Sequence, residues 1–193
     1  ILIEKHKPKC IMIVPILGLV PKMDKIKELC ENNNIILIED ACESLGSKFK
    51  GQQLGSFGLM STFSTYFGHH ISTIEGGMVC TNDDYFANLL KSLRSHGWDR
   101  DMDKDVKEDL RKEYGIDKFN ALYTFYYTGF NLRSTDLQAF IGLGQIDKLD
   151  GWGKQRERNF NTYQTLIKND YWKPKPQKDS FISNFAYPVI HPN

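Results

Sequence analysis

The sequence is poor in cysteine, with four in 193 residues, Cys10, Cys30, Cys42 and Cys80, and no CxxC or CxC pair. That spacing argues against a structural zinc or an iron–sulfur cluster, both of which need clustered ligands. So few cysteines in so long a chain also argue against a disulfide framework, and reduced thiols in a cytoplasmic protein are the expectation. Charge of one sign is lacking too. Lys and Arg number 25 against 24 Asp and Glu, so no field draws the chain to nucleic acid or to an anionic membrane surface. Long apolar runs are missing. The longest, residues 11–20, contains Pro15 and Gly18 and is too short to cross a bilayer. Glu4, Lys5, His6 and Lys7 interrupt any leader-like core at the start. There is no internal repeat and no low-complexity tract. What remains is a globular composition, 40% hydrophobic and 25% charged, long enough for one domain and part of another. The chain starts at Ile1 and stops just after an apolar run at 185–190, which reads as an excerpt of a longer protein.

Strand-like and helix-like patterns alternate along the first half. Residues 10–17 form a short apolar run. A helix is expected next, with Met23, Ile26, Leu29 and Cys30 on one face and Asn32, Asn33 and Asn34 ending it. Residues 35–38 are compact and mostly β-branched, as in a parallel strand buried on both faces. Glu39 and Asp40 follow at its C-terminal end, the edge where open α/β sheets bind ligands. A turn-rich segment spans 46–58, strands are expected at 60–65 and 78–81, and a glycine- and histidine-bearing loop lies between them. Asp83 caps a helix over 84–94 whose buried side is Phe86, Leu89, Leu90 and Leu93. Residues 99–118 are charge-dense and solvated. Thr135 with Gln138 fits a capping box opening a further helix. Gly151 and Gly153 break that pattern, which divides the chain into a domain at 1–150 and the start of a second at 151–193. A helix over 155–168, a proline-containing loop at 173–178 and a strand at 185–190 complete the pattern.

Chemistry concentrates between residues 35 and 81. An aspartate at a strand end, Asp40, suits a protonated heterocyclic nitrogen, and equally a turn or helix cap. Ser64 could donate to a phosphate or close a turn. His69 and His70 are adjacent, so in extended backbone they point to opposite faces and do not chelate one metal; no metal site is expected. Either they are ordinary loop histidines, or one titrates near neutrality and serves as general acid and base.

Several spaced motifs occur in order: Glu39-Asp40; Phe63-Ser64-Thr65-Tyr66-Phe67-Gly68-His69; Glu75-Gly76-Gly77-Met78-Val79; and Gly129-Phe130-Asn131-Leu132-Arg133, continued by Leu137-Gln138-Ala139. Together they resemble the DegT/DnrJ/StrS-type sugar aminotransferase and dehydratase family over essentially the whole chain. The resemblance implies an α/β protein of the pyridoxal-phosphate-dependent aspartate aminotransferase fold, here part of the large domain with the start of the small one. Aminotransferases of the family carry a lysine at the position of His69, which links covalently to the cofactor aldehyde. Imidazole cannot make that link. The pattern from His69 to Gly77 is similar to that of the nucleotide-sugar 3-dehydratases.

That resemblance implies an enzyme, a hydro-lyase that uses pyridoxamine phosphate and pyridoxal phosphate without an iron–sulfur cluster. Its reaction is removal of the C3 hydroxyl from a nucleotide-linked 4-keto-6-deoxysugar, with GDP-4-keto-6-deoxymannose favoured, in deoxysugar biosynthesis. L-glutamate restores the amine form of the cofactor. By the same resemblance His69 is the acid–base residue, Asp40 pairs with the ring nitrogen, and Ser64 binds phosphate. Glu43 lies near the ring oxygen, Asn131 reaches the phosphate of a neighbouring subunit in a homodimer, and Arg133 supports that contact or makes a structural ion pair. His96, in the turn Arg94-Ser95-His96-Gly97, faces substrate or is structural. His70 orients His69 or faces the core. The alternatives are a sugar aminotransferase with the same cofactor and a non-catalytic relative of the fold.

Overall fold

A computed structural model describes residues 2–168 and 171–191. In chain order the elements are α1 (Leu2–His6), β1 (Cys10–Ile13), α2 (Met23–Asn32), β2 (Ile36–Asp40), β3 (Lys48–Phe49), β4 (Gln52–Gln53), β5 (Met60–Ser64), β6 (Gly77–Thr81), α3 (Asp84–Leu93), α4 (Lys104–Glu113), α5 (Asp136–Ile146), α6 (Leu149–Leu166) and β7 (Ser180–Phe181). They divide into two compact units, one of residues 1–80 with 136–193 and one of residues 81–135. Among the described residues no helix is long and apolar enough to cross a membrane.

The first unit is built on a four-stranded sheet in the order β1-β2-β5-β6, with β1, β2 and β5 parallel. Alternation of side chains across β2 sends Leu37 and Glu39 to one face and Ile36, Ile38 and Asp40 to the other. The first face is covered. Met23, Ile26 and Cys30 of α2 pack there with Ile11, Ile13, Ile35, Leu37, Phe57, Phe49, Leu54, Phe160 and Ile182. The expectation of a strand buried on both faces fails on the second, where Met12 and Ile36 are exposed. Leu29, expected on the buried stripe of α2, is exposed as well, because six residues after Met23 the helix has turned it away from the core.

Glu39 is fully buried, and its carboxylate accepts three backbone N–H groups. Gly55 donates to Oε2 at 2.6 Å, and Phe57 and Gly58 donate to Oε1 at 2.6 and 2.8 Å. One side chain therefore closes the loop before β5 and sets where that strand begins.

Two expectations for the C-terminal part are corrected. Gly151 and Gly153 do not interrupt the helix, since both lie within α6. Gly153 is buried in α6, beside the Phe181 ring of β7, at a distance where a Cβ would make an ordinary contact of 3.7 Å. Residues 185–190 do not form a strand. Pro188 removes a ladder donor, and pairing is limited to a bridge between Ile190 and Trp172. The strand in this region is β7, antiparallel to β3, which itself pairs with β4.

In the second unit Asp83 caps α3 as expected, accepting the Phe86 N–H at 3.0 Å. The inner side of α3 differs from the apolar pattern: Asn88 and Ser92 are buried, while Phe86, Leu89, Leu90 and Leu93 are half-buried. Asn88 earns its place by a reciprocal clasp, accepting the Asp103 N–H at 2.8 Å and donating to Asp103 Oδ2 at 3.1 Å, which fixes the start of α4. α4 itself buries no residue.

Candidate active site

Asp40 and Thr62 are register partners on β2 and β5, and Ser64 follows two residues after Thr62. All three therefore project from the sheet face opposite the packed core, at the C-terminal ends of parallel strands. Thr62 Oγ1 donates to Asp40 Oδ1 at 3.2 Å, and the Cys42 N–H donates to the same oxygen at 3.2 Å. Burial alone would raise the Asp40 carboxyl. The hydrogen bonds from Cys42 and Thr62 and the nearby His69 outweigh it, so the group lies below its ordinary value and is ionised at neutral pH. Burial and the carboxylate push the Cys42 thiol up to about 11, so it remains a thiol rather than a nucleophilic thiolate.

His69 joins this group through the backbone. Its Nδ1 lies 2.8 Å from the Cys42 carbonyl oxygen. A carbonyl only accepts, so Nδ1 carries the proton, and Nε2 of the neutral ring is left as a base. The ring packs against Phe185 at 5.2 Å between centroids, and Tyr66 presents an edge at 6.1 Å. The loop bearing His69 is pinned on both sides. Thr65 and Thr73 share a 2.6 Å hydroxyl contact, and the Thr73 N–H donates to the Thr65 carbonyl. Gln145 of α5 clasps Ser72, accepting its N–H at 2.9 Å and donating to its carbonyl at 2.6 Å, and Gln138 donates to the Glu75 carbonyl. Neither glutamine nor Cys42 stood out in the sequence as site-forming. The i, i+7 spacing of Gln138 and Gln145 on one helix face was the available signal.

His70 points away from this group into the core. Its Nε2 donates to the Ser183 carbonyl at 3.0 Å, while Nδ1 has no partner among the described residues. Burial lowers its pKa to about 4 against the pull of Ser183, with Arg156 and His69 adding to the lowering. The unfolded chain therefore binds a proton that the folded one refuses between pH 6.5 and 4. Stability falls as pH drops through that window, by up to about 3 kcal/mol. Denaturant titrations from pH 7 to pH 4 should show wild type converging on His70→Gln by that amount; parallel curves would remove His70 as the cause.

Glu43 is half-buried, and its Oε2 accepts the N–H of Leu17 at 2.7 Å. Leu17 has a left-handed backbone, φ 59°, so this bond secures an unfavourable turn. Ser64 Oγ accepts the Tyr66 N–H at 3.2 Å, which leaves its own hydroxyl proton to donate.

Asn131, Arg133 and His96 belong to the second unit and are exposed. There the two motifs that carry them are joined: Ser95 bridges Asn131, His96 N–H donates to Phe130 O at 2.8 Å, and Leu132 N–H donates to Arg94 O at 2.9 Å. The junction needs Gly97, at φ +84°, where a Cβ would fall 1.7 Å from the Tyr127 oxygen.

A model of the DegT/DnrJ/EryC1/StrS aminotransferase family matches residues 2–193. The chain belongs to that family. It is 33% identical over 185 residues to GDP-4-keto-6-deoxy-D-mannose 3-dehydratase of Yersinia pseudotuberculosis, covering 96% of this chain and 47% of that protein. It is 36% identical over 161 residues to GDP-perosamine synthase of Caulobacter vibrioides, covering 83% of this chain and 38% of the relative. Among solved structures, E. coli GDP-4-keto-6-deoxy-D-mannose-3-dehydratase with bound hydrated PLP superposes with a TM-score of 0.81 at 31% identity, over 94% of this chain and 46% of that one. The fold is thus the aminotransferase fold of this family. The chain spans about half the length of the curated relatives it matches.

The donor set fits the pyridoxal phosphate group of the family. An ionised carboxylate whose bonds from the Cys42 N–H and the Thr62 hydroxyl fall on Oδ1 can offer Oδ2 to a cationic ring nitrogen, and a serine whose oxygen already accepts has a proton for a phosphate.

Proposed function

We propose that the protein catalyses C3 dehydration of a nucleotide-linked 4-keto-6-deoxyhexose, with GDP-4-keto-6-deoxymannose the favoured substrate. In this reading it is a cytoplasmic homodimer that uses pyridoxamine phosphate, with L-glutamate as amino donor. One observation carries the reading: His69 replaces the family's lysine, and its Nδ1 is committed to the Cys42 carbonyl beside the ionised Asp40. An imidazole held this way has one free basic nitrogen and no amine.

Asp40 would hold the protonated ring nitrogen and Ser64 the phosphate. When bound, the group supplies an amine nucleophile and an electron sink. His69 Nε2 takes a proton and returns it to the departing C3 hydroxyl oxygen, acting as base and then as acid. Phe185 and Tyr66 restrict the ring's rotation, so the same nitrogen serves both steps. Asn131, supported by Arg133, is assigned to the cofactor phosphate of the neighbouring subunit, and His96 to substrate. Glu43 is assigned to the cofactor's ring oxygen, through the carboxylate oxygen that Leu17 does not occupy.

Similarity to GDP-perosamine synthase keeps amino transfer as the second reading. The intact protein, incubated with pyridoxamine phosphate, glutamate and a panel of 4-keto-6-deoxy nucleotide sugars, separates the two. The expected product is lighter than its substrate by one oxygen atom, because the C3 hydroxyl departs and hydrolysis restores the C4 ketone with release of ammonia. Replacement of oxygen by nitrogen would establish the aminotransferase instead.

A further inference from the structure

His69 sits on a loop, residues 66–72, between β5 and β6 of the first unit. The neck of the loop is closed by backbone bonds, from the Thr73 N–H to the Thr65 carbonyl at 2.8 Å and from the Thr65 N–H to the Gly76 carbonyl at 2.9 Å. Between those bonds lies a residue in an unfavourable conformation. Ile74 has φ 73°, left-handed backbone that a β-branched residue rarely adopts. Its side chain is 61% exposed, so burial of apolar surface does not hold it there. Such a conformation persists only where the surroundings over-determine it.

The restraint comes from α5, on both sides of Ile74. Two residues before it, Ser72 donates its N–H to Gln145 Oε1 at 2.9 Å and accepts from Gln145 Nε2 on its carbonyl at 2.6 Å. One residue after it, the Glu75 carbonyl accepts from Gln138, on the same helix face as Gln145. Ser72, once fixed, accepts the Ile74 N–H on its own hydroxyl at 3.1 Å. Gln145 is anchored in turn, since Nε2 also donates to the Ile141 carbonyl at 3.0 Å. The clamp lies three residues from His69, and His70 and Ile71 between them are buried. A shift at Ser72 therefore passes along a short, packed stretch of backbone to the ring whose Nδ1 meets the Cys42 carbonyl.

We propose that Gln145 is a positioning residue for His69, holding the loop against the strain at Ile74 so that Nδ1 stays on the Cys42 carbonyl and Nε2 stays free as the base. Its amide does not ionise, so it moves no proton itself. Without the clamp Ile74 relaxes, the loop shifts and the ring loses its fixed tautomer. A displacement of ~1 Å is enough to cost about 10²-fold in rate. The inference rests on the acid–base reading of His69 and names what keeps that ring in place.

Gln145→Met, Ile74→Gly and the double variant, made in the intact protein, test it. Methionine keeps the length and helix propensity of the side chain but removes both bonds to Ser72. Measured where every variant is fully folded, Gln145→Met should lower kcat for dehydration about 10–10²-fold with KM for the nucleotide sugar little changed. Glycine accepts φ 73° freely, so Ile74→Gly should raise the melting temperature by about 2–4 °C. Added to Gln145→Met, it should return most of the lost kcat, which it would not do if the glutamine served stability alone. Imidazole ¹⁵N spectra of the unliganded proteins read the same geometry without turnover. Wild type and the double variant should hold the His69 proton on Nδ1, and Gln145→Met should show a mixture of tautomers. One unchanged tautomer throughout, or a double variant as slow as Gln145→Met, overturns the proposal whatever product the enzyme forms. A tautomer that follows the clamp while kcat does not would keep the positioning and take His69 out of the reaction.

Discussion

Replacing His69 by asparagine should abolish dehydration in a protein that still folds, with turnover reduced about 10²–10⁴-fold. The side-chain amide can donate to the Cys42 carbonyl as Nδ1 does, so the loop keeps its anchor. What disappears is the nitrogen that accepts and returns a proton. The loss should therefore fall on kcat, with KM for the nucleotide sugar little changed, because the interaction removed acts in the transition state. Single-turnover product mass, with pyridoxamine phosphate preloaded, measures the chemical step directly. Full activity in the asparagine variant would take His69 out of the mechanism. His69→Lys should give the opposite chemistry: a primary amine that captures the cofactor covalently, seen as a lysine adduct after borohydride treatment.

The site was legible where side-chain type carried the information. Asp40, Ser64 and His69 could be read from spaced motifs, and alternation along β2 and β5 places Asp40 and Ser64 on one sheet face. The carbonyl that orients His69 could not be read, because any residue at position 42 offers one. His70 shows the complementary case. Two adjacent histidines look alike in sequence, yet a bond to Ser183, 113 residues away, directs one of them into the core. Long-range packing also explains the misread C-terminal part. Local pattern made Gly151 and Gly153 a break and 185–190 a strand. Gly153 instead lies buried within α6 beside Phe181, and pairing with β3 places the strand at Ser180–Phe181. In α3 the apolar stripe marked the correct side, but the deepest positions are Asn88 and Ser92, and Asn88 is held there by Asp103 across a loop.

Glu39 presents the largest expected effect on stability. In sequence it is one of two acids at a strand end. In the structure it is a fully buried carboxylate with no salt-bridge partner among the described residues, held by three N–H donors from residues 55–58. Short, charge-assisted bonds of this kind offset the cost of burying the charge. Glu39→Gln keeps the shape but turns one oxygen into an NH₂ group facing an N–H donor, so two donors meet and a buried amide loses its acceptor. The expected loss is about 3 kcal/mol, from a leftover unsatisfied donor and the weaker neutral bonds that remain. Glu39→Ala removes all three acceptor contacts and opens a cavity, and should cost more, a large share of the ~5–15 kcal/mol that holds a typical domain. Denaturant midpoints with unchanged slopes would measure both. The loss should appear in stability before it appears in catalysis, because Glu39 and Asp40 project to opposite faces of the sheet. If Glu39→Gln unfolded at the wild-type midpoint, the three bonds would not be what closes the loop before β5.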